Sequence, residues 1–412
     1  MNRCKLIFVF LLILLPVFLF AVDFGFMTSQ YASFGNPDVE ENKFTYKGIF
    51  YPRFSSPVGK SGDFSMTAGL TLGAENGFYC VPELLRTEFM LRFGAGGLRV
   101  GRMFYSDPVS FVASGLFDGA QYYFISKAGT LSAGVWYTGL LYKETANITM
   151  TQSDLQNFNA AIDYGEFADT YFAPPRLLAS IDWEHPAIAG QISLKTALTA
   201  QFDLSDNDDK LHSQYLTMKA GLTVKKFIFE FGYSLETAQN QGVSAEEEDE
   251  SVFTIAFAWD AGVYWMLPTP FTSRLSFNGH FAGGRAAGND TVYAFTPVTV
   301  KYYGDIFKQK MSGLTVLNLN YTARIASALS ASAVVSHFVR NDLGTFSGYP
   351  VNAEENGGFS LGTEFFARLI WSPFSDFQVN FGGGAFLPAL GSAGPDEKAQ
   401  WKIELTAVLS IY

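Results

Sequence analysis

Charged side chains recur at alternate positions in stretches of this sequence that are otherwise apolar. Arg86, Glu88 and Arg92, for example, fall on one side of an extended strand. Arginine suits contacts to carboxylate and phosphate groups, and rings of charge inside a water-filled passage set its ion preference. Further charged residues placed in this way are either Arg99 or Arg102, together with Asp182, Glu184, Lys195, Lys219, Glu230, Arg274, His280, Arg324, Glu364, Arg368, Lys402 and Glu404. The set predicts a charged passage with a modest anion preference, although an ion pair between strands explains any single residue equally well.

Catalytic motifs do not account for these residues. The four histidines are His185, His212, His280 and His337. No Gly-x-Ser-x-Gly, His-Glu-x-x-His, Walker or dinucleotide-binding pattern is present in the sequence. Only His280 falls on the polar side of its segment near other polar residues, and a pore-lining role explains it as well. The sequence therefore predicts no enzyme activity and no cofactor.

The first 21 residues predict a secretory signal peptide. Arg3 and Lys5 precede an apolar run over residues 6–20, and Ala21 offers a small residue for cleavage. A membrane anchor is the alternative, because the run approaches the length that spans a bilayer. Pro16 and the strand-like sequence that follows favour cleavage, which leaves residues 22–412 as the mature domain.

Charge and cysteine usage narrow the class of protein further. The chain has a net charge of −11, and loss of the basic leader makes the remainder more acidic, so nucleic acid is not an expected partner. Of Cys4 and Cys80, only Cys80 remains after cleavage, which excludes an internal disulfide. No apolar run after residue 20 approaches the roughly 20 residues of a membrane helix.

Alternation of apolar and polar residues continues along the rest of the chain. In FIFEFGYSLE (227–236) the aromatic residues and Leu235 occupy odd positions and oppose Glu230 and Glu236, and in 361–371 Leu361, Phe365 and Leu369 oppose Glu364. Strands of a soluble sandwich also alternate. However, most of these segments have ten or more residues, whereas sandwich strands have about 5–6 and membrane-barrel strands about 9–11.

The final segment, WKIELTAVLSIY (401–412), is a two-faced strand. Trp401, Ile403 and Leu405 fall on one side, and Lys402 and Glu404 fall on the other. We expect this strand to pair with the first strand, near residues 22–32, because closing a barrel removes both sheet edges.

Short and long connections alternate along the chain, as they do in membrane barrels. The short ones are expected near 55–62, 95–98, 127–130, 185–190, 225–226, 267–270, 326–329 and 372–376, at the periplasmic end. The long ones are expected near 33–44, 74–83, 107–117, 144–175, 205–212, 239–251, 284–311, 341–358 and 388–398, at the outer end. With residues 296–304 assigned to an outer loop, the chain is an all-β transmembrane antiparallel β-barrel of about 18 strands, or 16 to 20 if one hairpin is split or merged.

On these features the sequence resembles the porin-like outer-membrane barrels of diderm bacteria, with spirochaetes as one candidate source. The 18-stranded substrate-selective channels, such as the alginate-export type, match it in size. Such barrels often end in an aromatic residue that the barrel-assembly machinery reads; Tyr412 resembles this signal, although it shares a face with Ser410 and Thr406. The resemblance implies an outer-membrane location, contact with outer-membrane lipid, passive diffusion of small hydrophilic solutes or ions, and a homotrimer as one oligomeric state.

In many porins the third outer loop folds into the pore and narrows it. Here that loop reads SDPVSFVASGLFDG (106–119), and its apolar residues would be poorly placed in an exposed loop. The candidates for such a constriction are Asp107, Pro108, Phe111, Leu116, Phe117 and Asp118. An apolar extension of the neighbouring strands is the alternative.

Two acidic runs, AEEEDE (245–250) and SDNDDK (205–210), are expected at the outer mouth, where solvated charge explains them best. Asp206, Asp208 and Asp209 could hold Ca²⁺ through oxygen ligands. The run lacks the glycine and the distant glutamate of a full EF-hand loop, so this calcium site is a weak hypothesis.

Two other functions fit a barrel. One is a hydrophobic-substrate transporter of the fatty-acid type, but that family usually has an N-terminal hatch, and strand 1 leaves little room for one. The other is a structural or adhesive surface barrel that acts through its outer loops, with residues 144–175 as the contact surface. Conductance after loop deletion would separate the channel from the adhesive barrel.

Overall fold

A computed structural model describes residues 22–36, 41–74, 78–239, 253–285, 292–342, 358–392 and 398–411. The expected signal peptide, the acidic run 245–250 and Tyr412 lie outside these residues. Eighteen of the strands form one sheet, in which each strand pairs with the sheet strands that come before and after it in the chain. Two further short strands form a separate pair. No helix in the described ranges has the length and hydropathy to cross a membrane.

The strands are β1 (Asp23–Gly35), β2 (Lys43–Val58), β3 (Gly62–Ala74), β4 (Phe78–Phe93), β5 (Gly96–Ser106), β6 (Ser114–Ser126), β7 (Gly129–Tyr137), β8 (Arg176–Ile188), β9 (Ile192–Asp203), β10 (His212–Val224), β11 (Phe227–Gln239), β12 (Phe253–Leu267), β13 (Thr272–Ala282), β14 (Tyr302–Tyr303), β15 (Gln309–Lys310), β16 (Leu314–Ala326), β17 (Leu329–Arg340), β18 (Ser360–Phe374), β19 (Phe377–Leu387) and β20 (Gln400–Ile411). The helices are α1 (Lys143–Ala146), α2 (Gln152–Asn159) and α3 (Phe167–Tyr171), and a 3₁₀ turn covers Pro388–Leu390.

Closure of the barrel joins the two ends of the described chain. β1 pairs antiparallel with β20, from Phe26 opposite Ile411 to Gly35 opposite Lys402. The expected pairing of the last strand with the first is confirmed, and so is the count of 18 strands. The segment 296–304 lies in the connection between β13 and β16, as expected. Within that connection β14 and β15 pair only with each other.

The two faces of the strands differ as their sequences predict. On β20, Ile403 and Leu405 are 47% and 46% exposed on the outer face, whereas Lys402 is buried on the inner face. The exposed outer side chains of the other strands are mostly aliphatic or aromatic too. This outer surface is unfavourable in water and favourable in lipid.

One residue departs from the predicted alternation. Leu361 was expected on the outer face of β18 with Phe365, but it is fully buried inside the barrel. The register of β18 against β17 shifts between Phe338 and Val339. Gly362 takes a positive φ of 140° beside the shift, and the extra residue turns Leu361 inward.

The connections fall into two groups at opposite ends of the barrel. At the end expected to be periplasmic they are tight turns, such as Lys225–Lys226, where Lys225 adopts a positive φ of 54°. At the other end lie the long connections, including 138–175, which holds the three α-helices of the described residues, and 283–313. The predicted alternation of short and long connections is thus confirmed except at one place. The long connection expected near 74–83 was wrong, because β3 ends at Ala74 and β4 already begins at Phe78.

A charge on the outer face should be far more damaging than the same charge one residue away. Leu405→Arg should lower the free energy of unfolding by about 2–4 kcal/mol if Leu405 lies near the middle of a bilayer. Thr406→Arg is the matched control, because Thr406 faces inward beside Tyr31. Denaturant unfolding in lipid vesicles measures both; equal losses would contradict the assignment of the two faces.

Candidate channel constriction

The connection between β5 and β6, residues 107–113, is a compact loop built around one carboxylate. The carboxylate of Asp107 accepts hydrogen bonds from the backbone N–H groups of Val109 (3.0 Å), Val112 (2.9 Å) and Ala113 (3.0 Å). Burial raises the pKa of Asp107, while these backbone donors act in the opposite direction. Ser110 has a positive φ of 56° at the tip. We name this segment loop 3.

Loop 3 extends into the barrel and reaches the opposite wall. Its residues Phe111, Val112 and Ala113 are fully buried. Phe111 packs edge-on against His280 of β13, with ring centroids 5.4 Å apart. A Cβ on Gly232 of β11 would lie 2.7 Å from Val109 Cγ1, so a glycine at that position leaves room for the loop.

The structure divides the expected constriction residues between two elements. Asp107, Pro108 and Phe111 lie in loop 3, which folds inward as one of the two alternatives predicted. The assignment of Leu116, Phe117 and Asp118 to the loop was wrong, since all three lie on β6. The ladder between β5 and β6 already begins at the pair Ser106 and Ser114, so strand pairing starts before these residues.

Residues 292–313, the described segment of the connection that leads to β16, contact loop 3 inside the barrel, and we name them loop 7. The backbone N–H groups of Val298 and Thr299 donate to the carbonyl oxygen of Val112, at 2.8 and 3.1 Å. The Thr299 hydroxyl accepts from the Ser114 N–H at 2.8 Å. The two loops therefore form one layer across the lumen.

One carboxylate anchors loop 7 to the far wall. Glu364 of β18 accepts from three consecutive backbone N–H groups, those of Asp305 (2.7 Å), Ile306 (3.0 Å) and Phe307 (2.8 Å). Charge-assisted bonds of this kind are among the stronger hydrogen bonds in proteins. The ring of Phe307 also stacks on Phe386 of β19, with centroids 3.9 Å apart.

Further ionic contacts support the same anchor. Arg368 bridges Asp305 (3.1 Å) and Glu404 (2.9 Å), and Lys402 Nζ donates to the Asp305 carbonyl at 2.6 Å. Glu364, Arg368, Lys402 and Glu404, all expected to face inward, are thus brought together around loop 7.

The other end of loop 7 is held by β10 and β11. The carboxylate of Glu236 accepts from the Thr296 N–H at 2.7 Å, and the Tyr215 hydroxyl donates to the Thr296 carbonyl at 2.6 Å. Both Glu236 and Tyr215 are buried. Loop 7 therefore crosses the lumen from β10–β11 to β18–β20, tied at both ends.

Two cavities flank loop 3, and Ser110 lines both. One has a volume of about 370 Å³ and is lined by Lys219, Glu230, His280 and Lys301 among others. The second has about 420 Å³ and is lined by Arg99, Asp107, Asp182 and Lys195 among others. Both linings are mainly polar, as a water-filled space requires.

Lys301 of loop 7 is the cation most closely associated with loop 3. Its Nζ lies 5.1 Å from the ring centroids of both Phe111 and Tyr303. Among the described residues, no carboxylate is within ion-pair distance of it. Burial lowers the pKa of Lys301, and the more distant charges of Asp260 and Asp107 oppose that effect.

Most other predicted charges on the inner face are paired. Glu88 is 2% exposed and contacts both Arg86 and Arg99. Two pairs line the cavities, Lys195 with Glu184 at 2.8 Å and Lys219 with Glu230 at 3.3 Å. The remaining contacts are Arg92 with Asp63, His280 with Asp260, Asp182 with Tyr105, Arg274 over the Tyr264 ring, and Arg324 with the Ser327 carbonyl.

Arg102 does not lie on the inner face, so its expected position was wrong. It occupies the same side of β5 as the exposed residues Val100 and Phe104. Its guanidinium forms two hydrogen bonds with the carboxylate of Asp118 on β6, at 2.9 and 2.7 Å. The outward placement follows from its even position, since Met103 and Tyr105 occupy the inner side.

The aspartates proposed as calcium ligands do not come together around one site in the described residues. Asp209 accepts from the Ser153 N–H at the start of α2, at 2.8 Å. Burial opposes its ionisation, but hydrogen bonds from Ser153 and Thr151 hold the pKa of Asp209 below its usual value. In the part of the chain that the structure describes, no three His, Cys, Asp or Glu side chains form a group that could hold a metal ion.

Sequence reasoning missed Lys301, Tyr303 and Asp305, because the segment 296–304 was treated as an ordinary outer loop. A signal was present: TPVTVKYYG is as apolar and aromatic as a strand, although it spans no wall. Such a loop must cover its apolar residues inside the barrel or beneath other loops.

Comparison with solved structures identifies the architecture. OccK2 (OpdF) of Pseudomonas aeruginosa in complex with glucuronate is similar, with a TM-score of 0.61, 11% identity, and coverage of 95% of this chain and 98% of that chain. The outer membrane protein opdK of Pseudomonas aeruginosa has a TM-score of 0.56, 12% identity, and coverage of 94% and 98%. The chain has the fold of an outer-membrane β-barrel protein.

OccK5 (OpdH) of Pseudomonas aeruginosa, with a TM-score of 0.60, 11% identity and coverage of 95% and 98%, shares this fold. No family model and no curated protein matches the sequence. The resemblance to porin-like outer-membrane barrels is therefore confirmed at the level of the fold.

Removal of the Glu364 carboxylate should loosen loop 7. In Glu364→Ala the N–H groups of Ile306 and Phe307 lose a charged acceptor, and such bonds contribute about 1.5–3 kcal/mol each. We expect hydrogen exchange at 305–307 to accelerate by about 10-fold or more. Glu184→Ala, which removes a half-exposed carboxylate, is the control; equal exchange in the two variants would contradict the anchoring role.

Proposed function

We propose that this protein is an outer-membrane channel for the passive diffusion of small hydrophilic solutes. The observation that carries the proposal is the layer of loops 3 and 7 inside a closed barrel, flanked by polar cavities of about 370 and 420 Å³. A plugged structural barrel has no need of charged side chains around polar cavities in its lumen. Lys195, Lys219 and Lys301 line these cavities, as a solute path requires.

The preferred solutes are anions, with small carboxylates as the class. Lys301 has no acidic partner among the described residues, and Arg99 and Lys195 line the second cavity. The acids Asp182, Glu184 and Asp260 lie nearby and limit the preference. The solved structure of OccK2 with glucuronate, a sugar carboxylate, supports this class through the shared fold alone.

The remaining expectations complete the proposal. Residues 1–21 direct export and are removed, the outer face contacts outer-membrane lipid, and β20 with Tyr412 engages the barrel-assembly machinery. A homotrimer is the proposed oligomeric state. Catalysis is not part of the proposal: His280 is packed between Phe111 and Tyr303 and paired with Asp260, which supports a structural role.

Single-channel recording in a planar bilayer tests the proposal. The mature protein should give stepwise, repeatable openings, and a salt gradient should give a reversal potential of the sign for anion preference. Lys301→Gln should shift that potential toward cation preference at 0.1 M salt, where the Debye length is about 10 Å, and less at 1 M.

Lys127→Gln is the control for Lys301→Gln, because Lys127 lies in a tight turn between β6 and β7. It should leave the reversal potential unchanged. A folded barrel that shows no openings would overturn the channel proposal, and equal shifts in the two variants would overturn the role of Lys301.

A further inference from the structure

The barrel wall is not hydrogen-bonded along its full height between β4 and β5. Seven residue pairs join these strands, from Phe93 opposite Gly96 to Thr87 opposite Arg102. Beyond them, residues 78–86 of β4 and 103–106 of β5 have no partner on the other strand, although both strands are described throughout. We name the space between these two segments the wall gap.

Tyrosine side chains replace the missing strand along the edge of β4. The Tyr164 hydroxyl accepts from the Cys80 N–H at 3.3 Å and donates to the Cys80 carbonyl at 3.1 Å. The Tyr171 hydroxyl donates to the Pro82 carbonyl at 2.7 Å. Pro82 has no N–H to leave unpaired, which suits a strand edge.

Arg102 closes the lower end of the wall gap. Besides its two bonds to Asp118, its guanidinium donates to the Leu84 carbonyl of β4 at 2.6 Å and to the Leu140 carbonyl at 2.8 Å. One side chain thus joins β4, β6 and the connection 138–175. Tyr164 and Tyr171 belong to the same connection, which we name the latch.

The interior of the latch is aromatic. Tyr171 stacks on Tyr142 and on Phe167, with centroids 4.9 and 4.6 Å apart. Val81 of β4 is buried in the same cluster. Beside the wall gap, Phe104 and Leu140 are 59% and 54% exposed. The side chains at the wall gap are therefore largely aromatic and aliphatic, with Glu83 and Arg102 as charged groups among them.

A closure made of side chains can open more readily than a strand ladder. The ladder of a closed barrel is continuous, and unpaired backbone groups in lipid cost several kcal/mol each. At the wall gap, however, the latch is joined to the strands by hydrogen bonds of the Tyr164 and Tyr171 hydroxyls, of the Leu140 carbonyl and of Thr145, which bonds Glu83 of β4. Water from the lumen can satisfy the freed groups of Cys80 and Pro82 when the latch moves.

We propose that the wall gap is a lateral port, gated by the latch, through which small apolar or amphipathic molecules pass between the lumen and the membrane. The aromatic rings suit an apolar solute, and the tyrosine hydroxyls and Arg102 suit a single polar group on it. This route is separate from the aqueous path past loops 3 and 7, so either one can exist without the other.

A reversible cross-link tests the port directly. Cys80, at the edge of β4, is paired with Tyr164→Cys on the latch through a short bifunctional methanethiosulfonate that reductant removes. Entry of the fluorescent probe N-phenyl-1-naphthylamine into cells that carry the full chain is then measured. We expect entry to fall to the level of cells without the protein when the latch is cross-linked, and to recover with reductant.

The control carries Cys80→Ser together with Tyr164→Cys and receives the same reagent, which cannot bridge its single thiol. Its probe entry should not change. Probe entry that is the same with the latch cross-linked and free, or no higher than in cells without the protein, would overturn the port. Heat-modifiable mobility on gels verifies that each variant is folded.

Removal of a single hydroxyl group from the latch tests the port independently of the cross-link. Tyr171→Phe removes only the bond to the Pro82 carbonyl and should raise probe entry roughly fivefold, the factor that one hydrogen bond contributes. Tyr122→Phe, on the outer face of β6, is the matched control and should have no effect. Equal entry in the two variants counts against the latch.

Conductance of the same variants separates the two proposals. Latch-dependent probe entry in a barrel without ion conductance would support the port and overturn the aqueous channel. Ion conductance together with probe entry that the cross-link does not change would support the aqueous channel and overturn the port.

Discussion

The structure depends on one constraint: in lipid, every backbone N–H and C=O must find its partner within the protein. A single sheet can meet this condition only by closing on itself, and the pairing of β1 with β20 does so. Closure fixes the alternation of faces, because each strand then has lipid on one side and the lumen on the other. The apolar outer residues and the charged inner residues follow from it.

The same requirement governs the loops that fill the lumen. Loops 3 and 7 bring backbone N–H groups into the barrel, where no strand is available to accept them. Buried carboxylates accept them instead: Asp107 within loop 3, Glu364 and Glu236 for loop 7. Several acids that look like pore charges in the sequence thus hold loops in place, and the cations they leave free, Lys301 above all, are the ones available to a solute.

The sequence predicted the features that depend on period and spacing. The strand count, the closing pair and most of the alternation of short and long connections needed only the two-residue repeat and the turn residues. The sequence could not predict that the Leu361 side chain faces the lumen, because one extra residue at a register shift exchanges the two faces of a strand. Arg102 and Asp118 form a pair on the outer side that the latch covers, and Lys301 lies near loop 3 only through long-range folding. Contacts of that kind leave no local pattern.

The constriction and the upper part of the wall gap both follow from the point at which the chain leaves the wall after β5. β4 has 16 residues, but β5 has only 11, since the chain leaves the wall after Ser106 to form loop 3. Loop 3 thus narrows the lumen instead of extending the wall, and residues 78–82 of β4 have no β5 residue beside them. Residues 83–86 are level with 103–106 of β5 but are not paired with them, so this edge of β4 is bonded to β3 alone. The latch supplies hydroxyl and carbonyl groups in place of a strand. A barrel that folds its third outer loop inward in this way must cover the exposed strand edge, and here the latch covers it.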